Sequence, residues 1–101
     1  MSINQEPYYK LIKIQDLSKL LKGDLIQLLA YIEKVNKEKS LLISDGTGNY
    51  SLKNIDIEKE DLKENQTIRI FGRWDGLDIL PEKILDWDIP KDKITLLFTN
   101  N

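Results

Sequence analysis

"LLISDGTGNYSLK", residues 41–53, decides how this chain is read. An apolar run enters Asp45, Gly46-Thr47-Gly48 follows, and a second extended run leaves. A glycine-rich loop cradles phosphate when it joins a strand to a helix N-terminus and is followed by Lys and Ser or Thr. Here it joins two strands and no such Lys follows. A calcium loop requires several spaced carboxylates, and Asp45 stands nearly alone. The glycines therefore supply the positive φ that a tight hairpin needs.

Outward from this hairpin the pattern stays extended. "DLIQLLAYIEKV" (24–35) is the longest apolar segment and reads as helix or strand. Gln27 and Glu33 share one parity, which favours a strand, as do the Ile, Tyr and Val content and the Asn36–Lys39 turn. Leu and Ala keep a helix open. "TIRIFGRW" (67–74) alternates strictly, with Ile68, Ile70, Gly72 and Trp74 on one face and Thr67, Arg69, Phe71 and Arg73 on the other. Asp75-Gly76 is a two-residue hairpin signal. "LDILPEKILDW" (77–87) is the next strand, with Pro81 at a bulge or an unpaired edge. "EKEDLKEN" (58–65) reads as a short charged helix with Leu62 inward. "YYKLIKI" (8–14) reads as a short strand. Asp16 can cap a helical turn that Gly23 ends. "KITLLFTN" (93–100) is a further apolar, β-branched run. It is expected either to pair with the 8–14 strand or to add to a partner's sheet edge.

The organisation expected is a loose N-terminal segment (1–9), a β domain (10–90) and a C-terminal extension (91–101). At 101 residues the chain has room for one core. With 41% hydrophobic and 32% charged residues it reads as globular. No apolar run reaches the length of a membrane span, and the first residues lack signal-peptide character. There is no Cys and no His, which removes disulfides, thiolate metal sites and the commonest general base. A hydrolase built on paired carboxylates is a poor fit, because the carboxylates are unpatterned. The expectation is an intracellular, cytoplasmic non-enzyme, nucleoid-associated if it binds DNA, without cofactor or metal. Net charge is −2, against bulk duplex binding. Short strands with tight turns suggest a small barrel.

Taken together, Ala30 in the long first strand, "LLISDGTG", the charged segment, "LKENQTIRIFGRW" and "PEKI" after an Asp-Gly turn resemble the OB fold. The likeness is to its nucleic-acid-binding branch, as in replication protein A subunits and anticodon-binding domains. It covers residues 10–88 as an ordered string of patterns, each weak alone. The resemblance implies an all-β fold: a five-stranded Greek-key barrel with a short helix between strands three and four. Single-stranded nucleic acid, DNA before RNA, would lie on its face and loops. In those relatives the face centres on strands two and three and carries a stacking aromatic. Here Leu42, Ser44 and Ser51 occupy those outward positions and cannot stack.

The candidates are therefore elsewhere. Arg69, Phe71 and Arg73 form a basic row with an aromatic between, Tyr31 is expected near them, and Trp74 sits at a hairpin. Lys34, Lys37 and Lys39 flank the other binding loop, with Lys53 beside it. Each has a bland reading. Trp74 has inward parity and fits a plug at the barrel end. Phe71 fits coverage by the N-terminal segment. The Lys-rich turn fits a solvated loop. The alternative function is a non-catalytic accessory subunit that holds a nucleic-acid enzyme or replication complex together through protein contacts, as a hetero-oligomer.

Overall fold

The sheet is organised by one long strand that serves three neighbours. The computed structural model describes residues 8–36, 39–56 and 61–99. Strand β1 (Lys10–Leu11) leads into a 3-10 helix (Ile14–Lys19). Then follow β2 (Leu25–Asn36), β3 (Ser40–Ser44), β4 (Asn49–Leu52), β5 (Thr67–Trp74) and β6 (Ile79–Asp86). Helix α1 (Lys91–Thr99) closes the described chain. The C-terminal half of β2 pairs with β3, and its N-terminal half pairs with β5, both antiparallel. β1 joins β2 in parallel at Ile26 and Gln27. The order along the sheet is β4-β3-β2-β5-β6.

The alternation of the sequence becomes the two sides of this sheet. Ile26, Leu28, Ala30 and Ile32 of β2 meet Leu41, Ile43, Leu52, Ile68 and Ile70 in one apolar core. Two bulges interrupt the alternation. One leaves Glu33 as the extra residue of β2 between Ile32 and Lys34. The other lies between the pairs Phe71–Lys83 and Gly72–Pro81, so Glu82 is the extra residue of β6. Pro81 thus marks a bulge, as expected of a residue with no N–H for the ladder.

Among the described residues no ladder joins β4 to β6, so the sheet is open where a five-stranded barrel would close. Side chains bridge part of that seam. The Tyr50 hydroxyl accepts a bond from the Ile79 N–H (2.9 Å) and donates to Asp78 Oδ1 (3.1 Å). Partial burial is the first cause that pushes this phenol up to about 12.

The opening hairpin is more than a turn. Asp45 is fully buried, yet each of its oxygens is bonded. Oδ2 accepts the Ile14 N–H (2.9 Å), while Oδ1 accepts the Thr47 N–H (2.9 Å) and hydroxyl (2.5 Å). The carboxylate thereby fixes the loop and anchors the start of the 3-10 helix, 31 residues earlier. Gly46 has φ +87°, and a Cβ there would fall 2.9 Å from Thr95 Cγ2 of α1. Its lack of a side chain serves both the backbone and the docking of the helix.

Five expectations change. Asp16, read as the cap of a helical turn that Gly23 ends, lies inside the 3-10 helix, whose caps are Lys13 and Leu20. Residues 93–100 were expected as an extended run; the described part is helical, and Ile94 is fully buried. Pro90 ends the preceding segment, its carbonyl accepts the Lys93 N–H, and Asp92 sits in the first turn. These are helix-start features that outweigh the β-branched Ile94 and Thr95. The expected short helix over 58–65 lies partly outside the described residues, and 61–65 form turns with Asp61 and Asn65 at positive φ. Only two residues of "YYKLIKI" pair as strand, because the chain bends into the 3-10 helix. The Asp75 turn spans four residues, not two. Asp75 Oδ1 accepts the N–H groups of Leu77 and Asp78, which lowers its pKa, and Trp74 pairs with Ile79.

Candidate nucleic-acid interface

The outward side chains divide into two groups along β2. The first forms around β5, opposite the N-terminal half of β2. Phe71 stands between Arg69 and Arg73 on the outer face, as strand alternation requires. The Arg69 guanidinium lies 5.3 Å from the Phe71 ring centre, and its Nε donates to Gln27 Oε1 (2.8 Å). Gln27 Nε2 in turn donates to the Tyr9 carbonyl (2.7 Å). The Tyr9 ring meets Phe71 edge-on at 5.2 Å and 82°. Its hydroxyl donates to Glu82 Oε1 (2.7 Å), the residue that the β6 bulge presents, and this bond is the first cause that raises its pKa. Glu82 also sits 3.9 Å from Arg73. The basic-aromatic row is therefore an internal clasp that holds the N-terminal segment on the sheet.

The second group lies on the outer face of β2, β3 and β4. Lys34 pairs with Leu42, and Leu42 with Ser51. Lys39 precedes Ser40, and Lys53 follows Leu52, the partner of Leu41. Strands stand about 4.8 Å apart and residues rise about 3.4 Å along them, so Lys53, two strands across from Lys34 and two residues along, lies roughly 12 Å away. Lys34, Lys39 and Lys53 are exposed, and none forms an ion pair with a described residue. Lys37 lies outside the described residues.

Tyr31 faces outward on the same strands, paired with Ser44 and Thr67. It does not join Phe71. Instead Lys91 of α1 places its ammonium 5.0 Å over the Tyr31 ring. α1 packs against β2, and Leu29, outward by parity, is buried although it is not part of the main apolar core. Trp74 points inward and belongs to the core. It forms the floor of a shallow groove of about 530 Å³ between the 3-10 helix, Tyr50 and Leu77.

Sequence reasoning missed Lys91 and Lys83. Lys91 followed from the unforeseen helix. Lys83 pairs directly with Phe71 across β5 and β6 and is exposed. Pro81 was the signal: one extra residue at its bulge puts Lys83 instead of Glu82 opposite Phe71. Among the described residues there is no group of three or more side chains suited to hold a metal, and no helix is long and apolar enough to cross a membrane.

No family model matches the sequence, and neither does any curated protein at a significant level. Solved structures do. The telomere capping protein Ten1 from Saccharomyces pombe is 18% identical, with a TM-score of 0.69 over 89% of this chain and 93% of that one. A chain of the S. pombe Stn1-Ten1 complex is 19% identical, with a TM-score of 0.64 over 83% of this chain and 81% of that one. Replication protein A of U. maydis, bound to ssDNA, is 14% identical, with a TM-score of 0.64 over 92% of this chain and 91% of that one. At such identities the likeness is one of architecture, and in its architecture this chain is an OB-fold protein, mostly β with a C-terminal helix.

Proposed function

We propose that this chain is a non-catalytic OB-fold module of a nucleic-acid-processing complex and binds single-stranded nucleic acid, DNA before RNA, on the outer face of β2, β3 and β4. The observation that carries this reading is the set of three exposed lysines, Lys34, Lys39 and Lys53, at one end of that face without ion-pair partners among the described residues. Uncommitted ammonium groups are what release counterions from phosphate. Tyr31, on the same face under Lys91, is the stacking candidate there. The likeness to a replication protein A bound to ssDNA supports the ligand class, although a fold by itself does not carry a function.

The test is fluorescence anisotropy with labelled single-stranded DNA and RNA at two salt concentrations. Replacing all three lysines with Ala should flatten the slope of log affinity against log salt by about 2, at roughly 0.7 per phosphate contact. It should do so similarly for all sequences, because phosphate contacts carry no sequence code. Absence of binding by the native protein at low salt rejects the reading.

A second reading has its own observation. Leu96 and Leu97 of α1 are more than half exposed. With Trp87, Ile89, Pro90 and Lys93 they line an open groove of about 620 Å³. Such a face suits a protein chain, and the Stn1-Ten1 complex among the similar structures supports an accessory subunit that acts by protein contacts. Co-purification from native extract, with and without Leu96→Asp and Leu97→Asp, separates the two readings. Loss of co-purifying chains with retained oligonucleotide binding assigns α1 to assembly and the lysine face to nucleic acid.

A further inference from the structure

Phe71 is ringed by cations that the β5 and β6 pairing brings together. Arg69 and Arg73 flank it along its own strand, and Lys83 stands directly across on β6. An aromatic face with guanidinium and ammonium groups around it has the chemistry that takes a nucleotide: a base on the ring and phosphates on the cations. That position is filled from within the chain. The Tyr9 ring stands perpendicular to Phe71 in direct contact, and its hydroxyl is tied to Glu82.

We propose that Phe71 is a second base-stacking platform and that Tyr9 is its intramolecular occupant, displaced when a single strand binds. The inference rests on the nucleic-acid reading above and extends it with a regulated site on a different part of the sheet.

The anchoring of Tyr9 suits a displaceable cover. The strand that follows it, β1, pairs over only two residues. Tyr9 itself is held by one edge-on ring contact and by hydrogen bonds from Gln27 and to Glu82. An edge-on aromatic pair and a base stacked on an aromatic are interactions of similar strength, so a ligand that also engages the cations can replace Tyr9. Glu82 opposes phosphate while Tyr9 is away. Arg73, already 3.9 Å from it, is the group that can neutralise it. Arg69 is held over the ring by Gln27, whose Oε1 bond does not depend on Tyr9. The platform thus keeps its cation in place when the cover leaves.

A cover imposes a cost on binding equal to the rarity of the open state. If the platform is open for roughly a tenth to a third of the time, removing the cover tightens binding about 3- to 10-fold. The experiment measures anisotropy of a labelled oligothymidylate with the native chain, Tyr9→Ala, Tyr9→Phe and Tyr9→Ala combined with Phe71→Ala. Tyr9→Ala should tighten binding 3- to 10-fold. Tyr9→Phe, which removes only the Glu82 bond, should tighten it less, and covers the case in which Tyr9→Ala fails to fold. Adding Phe71→Ala should abolish the gain. Unchanged or weaker binding by both Tyr9 variants overturns the proposal, as does a gain that survives loss of Phe71. The lysine-face reading fails separately, if the triple lysine variant binds like the native chain. If the native chain does not bind, gained binding by Tyr9→Ala sustains the platform alone, and no gain rejects both.

Discussion

The two cationic regions of this molecule differ in what their charges already touch. Around Phe71, Arg69 is bonded to Gln27 and lies over the ring, Arg73 faces Glu82, and Tyr9 packs perpendicular to the ring. At the hairpin end, Lys34, Lys39 and Lys53 touch no acidic partner among the described residues. In one-dimensional sequence, "RIFGR" is the more persuasive nucleic-acid signal and the scattered lysines the weaker. Folding reverses the order. A cation that is hydrogen-bonded within its own protein contributes to stability, while a free one is available to a ligand. The comparison predicts that changes around Phe71 act first on folding, and on binding only where they uncover the ring, while changes at the lysine rim act on binding alone.

The largest effect should come from the element that lies against β2 on its outer face. Ile94 of α1 is fully buried, outside the main apolar core. Ile94→Ala should cost about 2–5 kcal/mol in chemical denaturation, the range for truncating a buried aliphatic side chain. It should also loosen Lys91 from Tyr31, which near-ultraviolet circular dichroism can follow. A loss below 1 kcal/mol means that the helix is only loosely docked, and Tyr31 then belongs to an open face.

Next comes the clasp. Gln27 joins Arg69 to the Tyr9 carbonyl through both ends of its amide. Gln27→Ala leaves a half-buried guanidinium without its acceptor, so it should destabilise by about 1–3 kcal/mol. The triple lysine variant, by contrast, should stay within about 0.5 kcal/mol of the native chain. Equal losses from both changes break the comparison.

The same logic explains how much of the molecule the sequence disclosed. Strand positions followed from period-two alternation, which is a local property, and β2 through β6 lie close to where the pattern puts them. The helix α1 was hidden because its β-branched Ile94 and Thr95 mimic a strand, and only one residue of its short apolar set is fully buried. The positive φ of Gly46 was legible, although Gly48, read in the same way, does not have one, and the reason for Asp45 was not legible. Its partner, the Ile14 N–H, lies 31 residues away, beyond any local motif. The outward parity of Arg69, Phe71 and Arg73 was legible too. Their pairing depended on Glu82, whose direction is set by a bulge, and on Tyr9, placed by a two-residue parallel strand. Bulges and chance cross-chain partners leave almost no trace in periodicity.

A pH titration sharpens the contrast among tyrosines. Tyr9 and Tyr50 both have pKa values raised above 10.0, Tyr9 by its bond to Glu82 and Tyr50 by burial, to about 12. A raised value in the folded state means that the neutral phenol is the stabilising form. The contribution is complete below about pH 10 and is lost as pH rises through the folded value, for Tyr50 towards about 12. Absorbance of phenolate should therefore show Tyr50 ionising late, with the seam between β4 and β6 opening as it does. Tyr50→Phe should remove that late step and leave oligonucleotide binding at the lysine rim unchanged.

The smallest effect tests the weakest contact of the clasp. Arg73 and Glu82 are 3.9 Å apart, with side chains 50% and 38% exposed, so solvent and salt screen the pair. Exposed pairs of this kind contribute between zero and about 1 kcal/mol. Arg73→Ala should therefore change stability by no more than about 0.5 kcal/mol, far less than Gln27→Ala. If it nevertheless weakens oligonucleotide binding in the Tyr9→Ala background and not in the native chain, Arg73 is a phosphate contact that only the uncovered platform uses. A stability loss above 1 kcal/mol would instead make Arg73 part of the clasp itself. The division would then run between two whole regions, with Lys83 left as the free cation beside Phe71 among the described residues.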